Sequence, residues 1–376
     1  MPWHEVSTMS LREEFVMLAR QEGANMALLC RRFGIARRTG YKWLARFASE
    51  DRGGLSDRSR RPLRSPTQTP AALEEAVIAL RRRHPTWGGR KLARRLQALG
   101  HDGVPAPSTI TAMLHRHHLL TPTESAKHQA FVRFEHATPN ALWQMDFKGW
   151  FQLPRGRCHP LTVLDDHSRF NLLLRACADQ QGTTVQAALT AVFRRYGLPV
   201  RMTMDNGAPW GSDAAHVLTP LTLWLMRLGI AVSHSRPYHP QTQGKDERFH
   251  RTLECELLQY RVFRDLAHVQ WHFDRFQELY NLERPHEALG LEVPGRRYQP
   301  SVRTFPEPLP PIEYAPGDVV RKVDHGTVSY RGHVLRVPKA LHGYPVAIRA
   351  TCDDGTLAIY FCQSQVAAID LRHLKI

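Results

Sequence analysis

Hydrophobic residues recur at helical spacing over the first fifty positions. In the first segment they fall three or four positions apart, as on one face of a helix, at Leu11, Phe15, Leu18 and Ala19. Gly23 ends this helix. The pattern then predicts a second short helix over 26–33, a turn at Gly34 and a third helix over 36–47. We therefore expect a compact helical unit at the start of the chain.

The third of these helices carries a row of basic residues, namely Arg37, Arg38, Lys42 and Arg46. Two short helices around a glycine turn, with the second helix basic, are typical of the helix-turn-helix motif that binds the DNA major groove. Arg37 and Arg38 stand at the start of the candidate recognition helix, where base contacts are usual. The spacing leaves one alternative open, a small helical bundle with a solvated basic face.

Helical spacing continues in a second unit over residues 71–121. It is interrupted at 85–89, resumes over 90–99, and the proline and hydroxyl residues of 107–109 begin a further helix over 110–118. We interpret this unit as a second helix-turn-helix-like, DNA-binding module.

The pattern changes after residue 138, where short apolar runs alternate with turn residues. Three strand-like runs precede alternating helices and strands, which predicts an α/β domain with a mixed sheet and helices packed on it. The predicted strands are 141–153, 161–164, 170–176, 200–204 and 230–233, and the predicted helices are 183–196, 214–229, 243–260 and 265–281.

The last sixty residues consist of short strand-like runs with tight turns at 324–326, 330–332 and 353–355, which predicts a small β-barrel. The chain as a whole is expected to be multidomain. Its predicted segments are a helix-turn-helix module (1–50), a basic linker (51–70), a second module (71–121), a linker (122–138), the α/β core (139–300) and the β-barrel (312–376).

The net charge and its distribution along the chain indicate the kind of partner that the protein binds. The 376 residues include 51 Lys and Arg against 35 Asp and Glu, a net charge of +16. The excess lies mainly in residues 1–130, with 22 basic against 11 acidic residues, compared with 29 against 24 in residues 131–376. A basic segment of this strength indicates a polyanionic partner, most simply a nucleic acid.

Composition also excludes several classes of protein. No run of 18 apolar residues exists, so we expect no membrane span, and the first residues lack the pattern of a signal peptide. The six cysteines form no C-x-x-C pair, which argues against a cysteine-based zinc finger and a disulfide framework. We therefore expect a cytoplasmic protein that binds DNA or RNA and has no membrane partner.

Three acidic residues are candidates for catalysis. Asp146 lies inside a predicted strand between apolar neighbours, an unfavourable place for a carboxylate without a partner or a function. Asp205 follows the predicted strand 200–204, and Glu247 falls in the first turns of a predicted helix. Singly, Asp205 is explained by a turn and Glu247 by the helix dipole. Together, on a basic protein, the three describe a carboxylate triad for hard cations.

The segment 235–250, SRPYHPQTQGKDERFH, resembles the third-carboxylate motif of insertion-sequence transposases, which share the retroviral-integrase core. The segments 143–146 and 204–207 are similar to the first two carboxylate motifs, and 280–286 resembles the segment that closes this core. The chain departs from its retroviral relatives in having helix-turn-helix units where they have a His/Cys zinc module. The 41 residues between Asp205 and Glu247 also exceed the usual spacing, which we attribute to a loop at 208–213.

The resemblance implies a ribonuclease-H-like core in which Asp146, Asp205 and Glu247 hold two Mg²⁺ ions, with Mn²⁺ able to substitute. Two cations stabilise the attacking and leaving oxygens during in-line displacement at phosphorus, so no protein nucleophile is needed. Lys245 and Arg248 flank Glu247 and are candidates to bind DNA phosphates; the alternative is that they are solvated cations of the helix.

The function implied by the resemblance is that of a DNA transposase of the bacterial cytoplasm, associated with the nucleoid when bound to DNA. Such an enzyme binds the terminal inverted repeats of its element, cleaves there and joins the 3′-hydroxyl ends to target DNA. This reaction requires at least a homodimer on DNA. Two alternatives are a DNA-binding regulator with a decayed, inactive core, and a nuclease of the same fold that performs no strand transfer.

At two places in the sequence, adjacent carboxyl groups are alternative candidates for the metal site. The apolar stripe Phe249, Leu253, Leu257 and Tyr260 predicts which face of the helix packs on the sheet. Asp246 falls over that stripe and Glu247 on its flank, so we assign Glu247 to the site and give Asp246 a structural role at the helix start. We interpret Asp165 and Asp166 as residues of a strand-ending turn.

Overall fold

The computed structural model describes residues 7–59, 68–120, 135–211, 218–234, 244–351 and 355–373. The chain divides into two compact units, Met1–Gln68 and Thr69–Ile376. The second unit therefore contains the predicted second helical module, the α/β core and the tail.

The first unit is built from three helices, α1 (Thr8–Ala19), α2 (Met26–Arg32) and α3 (Arg37–Glu50). Asn25 caps α2 by accepting the backbone N–H groups of Ala27 and Leu28. The helices enclose a small core of Phe15, Val16, Cys30, Trp43 and Leu55. The helix-turn-helix prediction is confirmed, with α2 and α3 as its two helices and Gly34 in the turn at a φ of +64°.

A second group of three helices begins the second unit: α4 (Ala71–Arg83), α5 (Gly89–Ala98) and α6 (Pro107–Arg116). Trp87, Leu92 and Ile110 lie fully buried between them. A Cβ atom on Gly89 would lie 2.4 Å from the Pro107 carbonyl oxygen, so only glycine allows α5 and α6 to approach this closely.

The α/β core contains a mixed sheet, as predicted. Its strands are β1 (Leu142–Phe147), β2 (Phe151–Gln152), β3 (Arg157–Asp165), β4 (Asn171–Cys177), β5 (Arg201–Met204) and β6 (Ala231–His234). The order is β4–β3–β1–β5–β6, with β2 paired to the start of β3. Strands β3 and β4 pair antiparallel to their neighbours, whereas β1, β5 and β6 are parallel.

Four helices pack on this sheet: α7 (Gly182–Tyr196), α8 (Pro220–Arg227), α9 (Gly244–Glu256) and α10 (Leu266–Leu282). Side chains alternate between the two faces of a strand. On β3, Leu161 and Val163 join the core that contains α7 and α8, and Cys158 and Leu164 join the core that contains α9 and α10. Helices therefore cover both faces of the sheet.

The predicted boundaries differ from the structure at several elements. The strand expected over 141–153 is two strands, β1 and β2, and β3 begins at Arg157, before the predicted 161. The start of the helix expected over 214–229, part of the proposed loop 208–213 and most of the motif segment 235–250 lie outside the described residues. Tyr260, predicted on the packed stripe of α9, is 61% exposed, because α9 ends at Glu256 and a short 3₁₀ turn follows.

Six strands lie among the described residues of the tail: β7 (Val319–Lys322), β8 (Thr327–Tyr330), β9 (His333–Arg336), β10 (Pro345–Ala350), β11 (Thr356–Phe361) and β12 (Ser364–Asp370). In the described part of the tail they form an open antiparallel sheet in the order β12–β11–β10–β7 and a separate β8–β9 hairpin, where a closed barrel was expected. A barrel requires its two edge strands to pair. Here Leu223 and Met226 of α8 pack instead on the apolar side of the tail.

Helix α8 is accordingly apolar on all sides, which suits a helix buried between two layers. Six of its eight residues are buried. Leu221, Trp224 and Leu225 face the core of the mixed sheet, and Leu223 and Met226 face the tail.

In the described part of the chain, no helix is long and apolar enough to cross a membrane.

Candidate active site

Asp146 lies on β1 and faces α9. Alternation along β1 buries Trp143 and Met145 in the α7–α8 core, so Gln144 and Asp146 face the other side of the sheet. The Asp146 carboxylate accepts the Phe147 backbone N–H at 2.8 Å. Its pKa is raised to about 7, mainly by burial and also by the nearby carboxylates of Asp205 and Glu247, while the Phe147 hydrogen bond opposes the rise. The three residues predicted from the sequence are therefore electrostatic neighbours.

Asp205 reaches this position because β5 pairs parallel with β1, with Gln144 opposite Thr203. The carboxyl ends of parallel neighbours lie at the same edge of a sheet, so the residue after β5 comes beside the end of β1. Asp205 is exposed, and its carboxylate accepts the Asn206 backbone N–H at 2.7 Å. The His234 imidazole, at the end of β6, donates to the Asp205 carbonyl oxygen at 3.0 Å.

Glu247 and Asp246 occupy different faces of the first turn of α9, as predicted. Glu247 is exposed, whereas Asp246 is completely buried beside the apolar residues Phe249 and Leu253. Among the described residues, neither carboxyl oxygen of Asp246 has a hydrogen-bond partner. Burial raises its pKa well above the usual range, and the carboxylates of Asp146, Asp166 and Glu247 add to this effect. We expected Asp246 to interact with the helix dipole at the start of α9. That role alone does not account for a carboxyl group that is completely buried.

Asp146, Asp205 and Glu247 are neighbours, but their carboxylate oxygens do not all lie within 4.8 Å of one another, as they would around one shared ion. Among the described residues, the group whose ligand atoms all lie within 4.8 Å of one another is Asp324, His325 and His342, exposed in the tail. There, Nδ1 of His342 already accepts the His325 backbone N–H at 3.0 Å.

The predicted basic residues fall into two groups. Arg37, Arg38, Lys42 and Arg248 are exposed, and Arg46 is half-buried. The Lys42 ammonium and the Arg46 guanidinium lie 4.4 and 5.1 Å from the centre of the Trp43 ring. Lys245 differs from the others, because its ammonium is nearly buried and lies 2.6 Å from the carboxylate of Asp166.

The turn after β3 is built as predicted. Asp165 accepts the backbone N–H groups of Asn140 and Ser168 at 2.7 and 2.8 Å, and the Ser168 hydroxyl at 2.6 Å. Burial raises the pKa of Asp165, while these hydrogen bonds oppose the rise. Its neighbour Asp166 accepts the Gln144 side-chain amide at 2.9 Å.

His250 is a polar residue of the site that the sequence motifs did not indicate. Its Nε2 lies 2.8 Å from the hydroxyl of Thr162, which in turn donates to the Asp146 carbonyl oxygen at 3.1 Å. Burial lowers the pKa of His250 to about 4, so the ring is neutral near pH 7. Helical spacing would have revealed it, since His250 lies four residues after the buried Asp246.

The segment 280–286 holds helices α9 and α10 in place. Asn281 accepts the Asn171 backbone N–H at 2.8 Å and donates to its carbonyl oxygen at 2.9 Å, so α10 is fixed to β4. Arg284 forms a buried ion pair with Glu256, the last residue of α9, at 2.8 Å. The indole of Trp87 donates to the same carboxylate at 3.4 Å, which joins the second helical group to the core.

Comparisons with known families agree with this arrangement. Models described as a helix-turn-helix domain and a homeodomain-like domain match residues 11–62 and 39–114. Two models of the integrase core domain match residues 136–240 and 228–294. The model of the IS481 family transposase C-terminal domain matches residues 318–376.

Two similar proteins come from bacterial insertion elements. An uncharacterized 31.7 kDa protein of insertion element IS407, from Burkholderia multivorans, is 27% identical over 157 residues, which cover 42% of this chain and 54% of the relative. The chain thus spans about half the length of that relative. An uncharacterized 39.2 kDa protein of insertion element IS476, from Xanthomonas euvesicatoria, is 26% identical over 67% of this chain and 71% of its own length.

Among solved structures, the HTLV-2 integrase catalytic core domain is similar over 43% of this chain and 97% of its own, at 13% identity and a TM-score of 0.34. The family models show helix-turn-helix-type domains and an integrase-type core in this chain. They confirm its resemblance to insertion-sequence transposases.

Proposed function

We propose that this protein is a DNA transposase that binds the terminal inverted repeats of an insertion element, cleaves the DNA there and joins the 3′-hydroxyl ends to target DNA. The observation that carries the proposal is the electrostatic grouping of Asp146, Asp205 and Glu247 at one edge of an integrase-type sheet. The helix-turn-helix unit supports DNA as the substrate. The site of action is the bacterial cytoplasm, on the nucleoid, as a homodimer or larger assembly on DNA.

The donor set of the site suits Mg²⁺, with Mn²⁺ as a substitute. Asp146, Asp205 and Glu247 offer carboxylate oxygens, the hard ligands that Mg²⁺ prefers, and Asp205 and Glu247 are open to water. Carboxylates that bind different ions of a metal pair need not lie as close together as carboxylates that bind the same ion. When bound, a metal pair supplies charge stabilisation at the attacking and leaving oxygens and activates the attacking water or 3′-hydroxyl.

The protein's own part is to hold these carboxylates in place. The Phe147 backbone N–H orients Asp146. Thr162 and His250 connect the Asp146 backbone to α9 through two hydrogen bonds. His250 is neutral near pH 7 and so adds no positive charge that would compete with a cation for the carboxylates.

A cleavage assay separates this function from that of an inactive regulator. A labelled duplex of the inverted repeats that bracket the gene should be nicked by the full-length protein with Mg²⁺ or Mn²⁺, and EDTA should abolish nicking. Asp146→Asn should lose cleavage and bind the duplex at least as tightly, because one negative charge near the DNA is removed. Cleavage that persists in EDTA would contradict the metal mechanism, and DNA binding without cleavage would favour the regulator.

A further inference from the structure

Lys245 forms an ion pair at the start of the helix that carries Glu247. Its ammonium donates to the carboxylate of Asp166 at 2.6 Å and to the Asp166 backbone carbonyl oxygen at 2.8 Å. The exposed fractions of the two side chains are 11% and 3%, so the pair is screened from water. An ammonium fixed in this way has little freedom to contact a DNA phosphate.

Asp166 in turn joins three parts of the core. Its second carboxylate oxygen accepts the His136 backbone N–H at 2.9 Å, and the oxygen that faces Lys245 also accepts the Gln144 side-chain amide at 2.9 Å. The Asp166 backbone N–H donates to the Leu142 carbonyl oxygen at 2.9 Å. Lys245 is thereby connected through Asp166 to Gln144 of β1, which lies two residues before Asp146 on that strand.

The first turn of α9 also has an electrostatic need for a cation. Asp246 is buried and has no hydrogen-bond partner in the part of the chain that the structure describes, and its carboxyl group is a neighbour of Asp146, Asp166 and Glu247. Like charges at close range disfavour this packing. The ammonium of Lys245 pairs with Asp166, one member of this group, and so offsets that member's share of the repulsion.

The remaining polar contacts of α9 with the sheet lie further along the helix. His250 contacts Thr162 at 2.8 Å, and Glu254 pairs with Lys148 at 2.5 Å. Both contacts come after Glu247 in sequence, whereas Lys245 comes two residues before it. The Lys245–Asp166 pair therefore fixes the side of the first turn that the later contacts do not reach.

We propose that Lys245 and Asp166 are positioning residues that set the first turn of α9, and with it the Glu247 carboxylate, relative to Asp146. The inference rests on the proposed function, because it concerns the metal site of that function. Residues that orient metal ligands typically change metal affinity about 10- to 100-fold when they are removed. Lys245 acts in this proposal through Glu247 and not through contact with DNA.

Lys245→Met tests this role, with Lys245→Arg as the conservative variant. The matched control is Lys148→Met, which removes the ion pair between the residue after β1 and Glu254 near the end of α9. Mn²⁺ binding to each full-length protein is measured from the electron paramagnetic resonance signal of free Mn²⁺, without DNA or turnover. We expect Lys245→Met to weaken Mn²⁺ binding at least about tenfold. Lys245→Arg should recover most of the affinity, and Lys148→Met should stay within about twofold of wild type.

A DNA titration separates this role from a phosphate contact. A plot of log affinity against log salt concentration has a negative slope, and removal of one phosphate contact reduces the magnitude of that slope by about 0.9. An unchanged slope for Lys245→Met together with weakened Mn²⁺ binding supports the proposal. A reduced slope with wild-type Mn²⁺ affinity overturns it, as does wild-type behaviour in both assays. If the wild-type protein binds no Mn²⁺ at all, the proposed function itself fails, and this inference fails with it.

Discussion

At the scale of single residues, the first turn of α9 places two adjacent carboxyl groups in opposite environments. Asp246 is enclosed and Glu247 is exposed toward the edge of the sheet that carries Asp146 and Asp205. Successive residues of a helix point about 100° apart, so one of the two carboxyls is directed away from any shared cation. This geometry favours Glu247 as the third ligand.

Exchange of each carboxyl for its amide tests the assignment. Glu247→Gln should lower cleavage by at least about 100-fold, equivalent to roughly 2.7 kcal/mol of barrier, because a metal ligand loses its charge. Asp246→Asn should keep most of the activity, since the amide has nearly the same shape and the Asp246 oxygens accept no hydrogen bond from any described residue. Single-turnover cleavage rates measure both effects. The opposite order of the two variants would assign the metal to Asp246.

At the scale of elements, local periodicity was sufficient to predict the helices of the first unit and the mixed sheet. The apolar spacing that predicts α2 and α3 depends on neighbours within one helix, and the structure keeps it. The apolar side of the tail is covered instead by α8, which lies about a hundred residues earlier in the sequence. No pattern within residues 316–376 contains that information.

The same limit applies to the candidate site. The motifs containing Asp146, Asp205 and Glu247 are short stretches of sequence, and the structure brings these residues together as neighbours. The burial of Lys245 against Asp166 joins positions 79 residues apart. A buried ion pair of this kind is set by tertiary packing, and on sequence alone a lysine at a helix start is typical of a solvated cation.

The dual packing of α8 predicts a local effect on the tail. Leu223 is 1% exposed and packs among tail residues, so Leu223→Ala should destabilise this contact by about 2–5 kcal/mol. Amide hydrogen exchange should then accelerate in β10 and β11. Val320→Ala on β7, where the side chain is 39% exposed, is the matched control and should leave exchange nearly unchanged. Unaltered exchange in Leu223→Ala would show that α8 does not support the tail.

At the scale of the whole molecule, positive charge is concentrated in the N-terminal third, while the carboxylates of the candidate site lie in the core. Under the proposed function, this distribution assigns recognition of DNA and chemistry on DNA to different parts of the chain. Phosphate contacts supply affinity for any sequence, and contacts with base edges supply specificity.

The exposed pair Arg37 and Arg38 at the start of α3 is the place to test this division. The double variant Arg37→Ala, Arg38→Ala should reduce the ratio of terminal-repeat to random-duplex affinity at least tenfold, because each lost base contact costs about 1–3 kcal/mol. Competition binding at fixed salt measures the ratio. The double variant Arg195→Ala, Arg201→Ala, at two exposed arginines of the core, is a control for the loss of two charges alone. An unchanged ratio in the double variant would move recognition away from α3.

Strand transfer tests the central claim most directly. A terminal-repeat duplex with its 3′-hydroxyl already exposed is incubated with a supercoiled plasmid, Mg²⁺ and the full-length protein, and covalently joined products are counted by sequencing the junctions. We predict joined ends with wild-type protein and none with Asp146→Asn, because the metal pair activates the 3′-hydroxyl as it activates water. Plasmid nicking without joined ends would identify a nuclease, and binding with neither product would identify a regulator; either result would contradict a transposase.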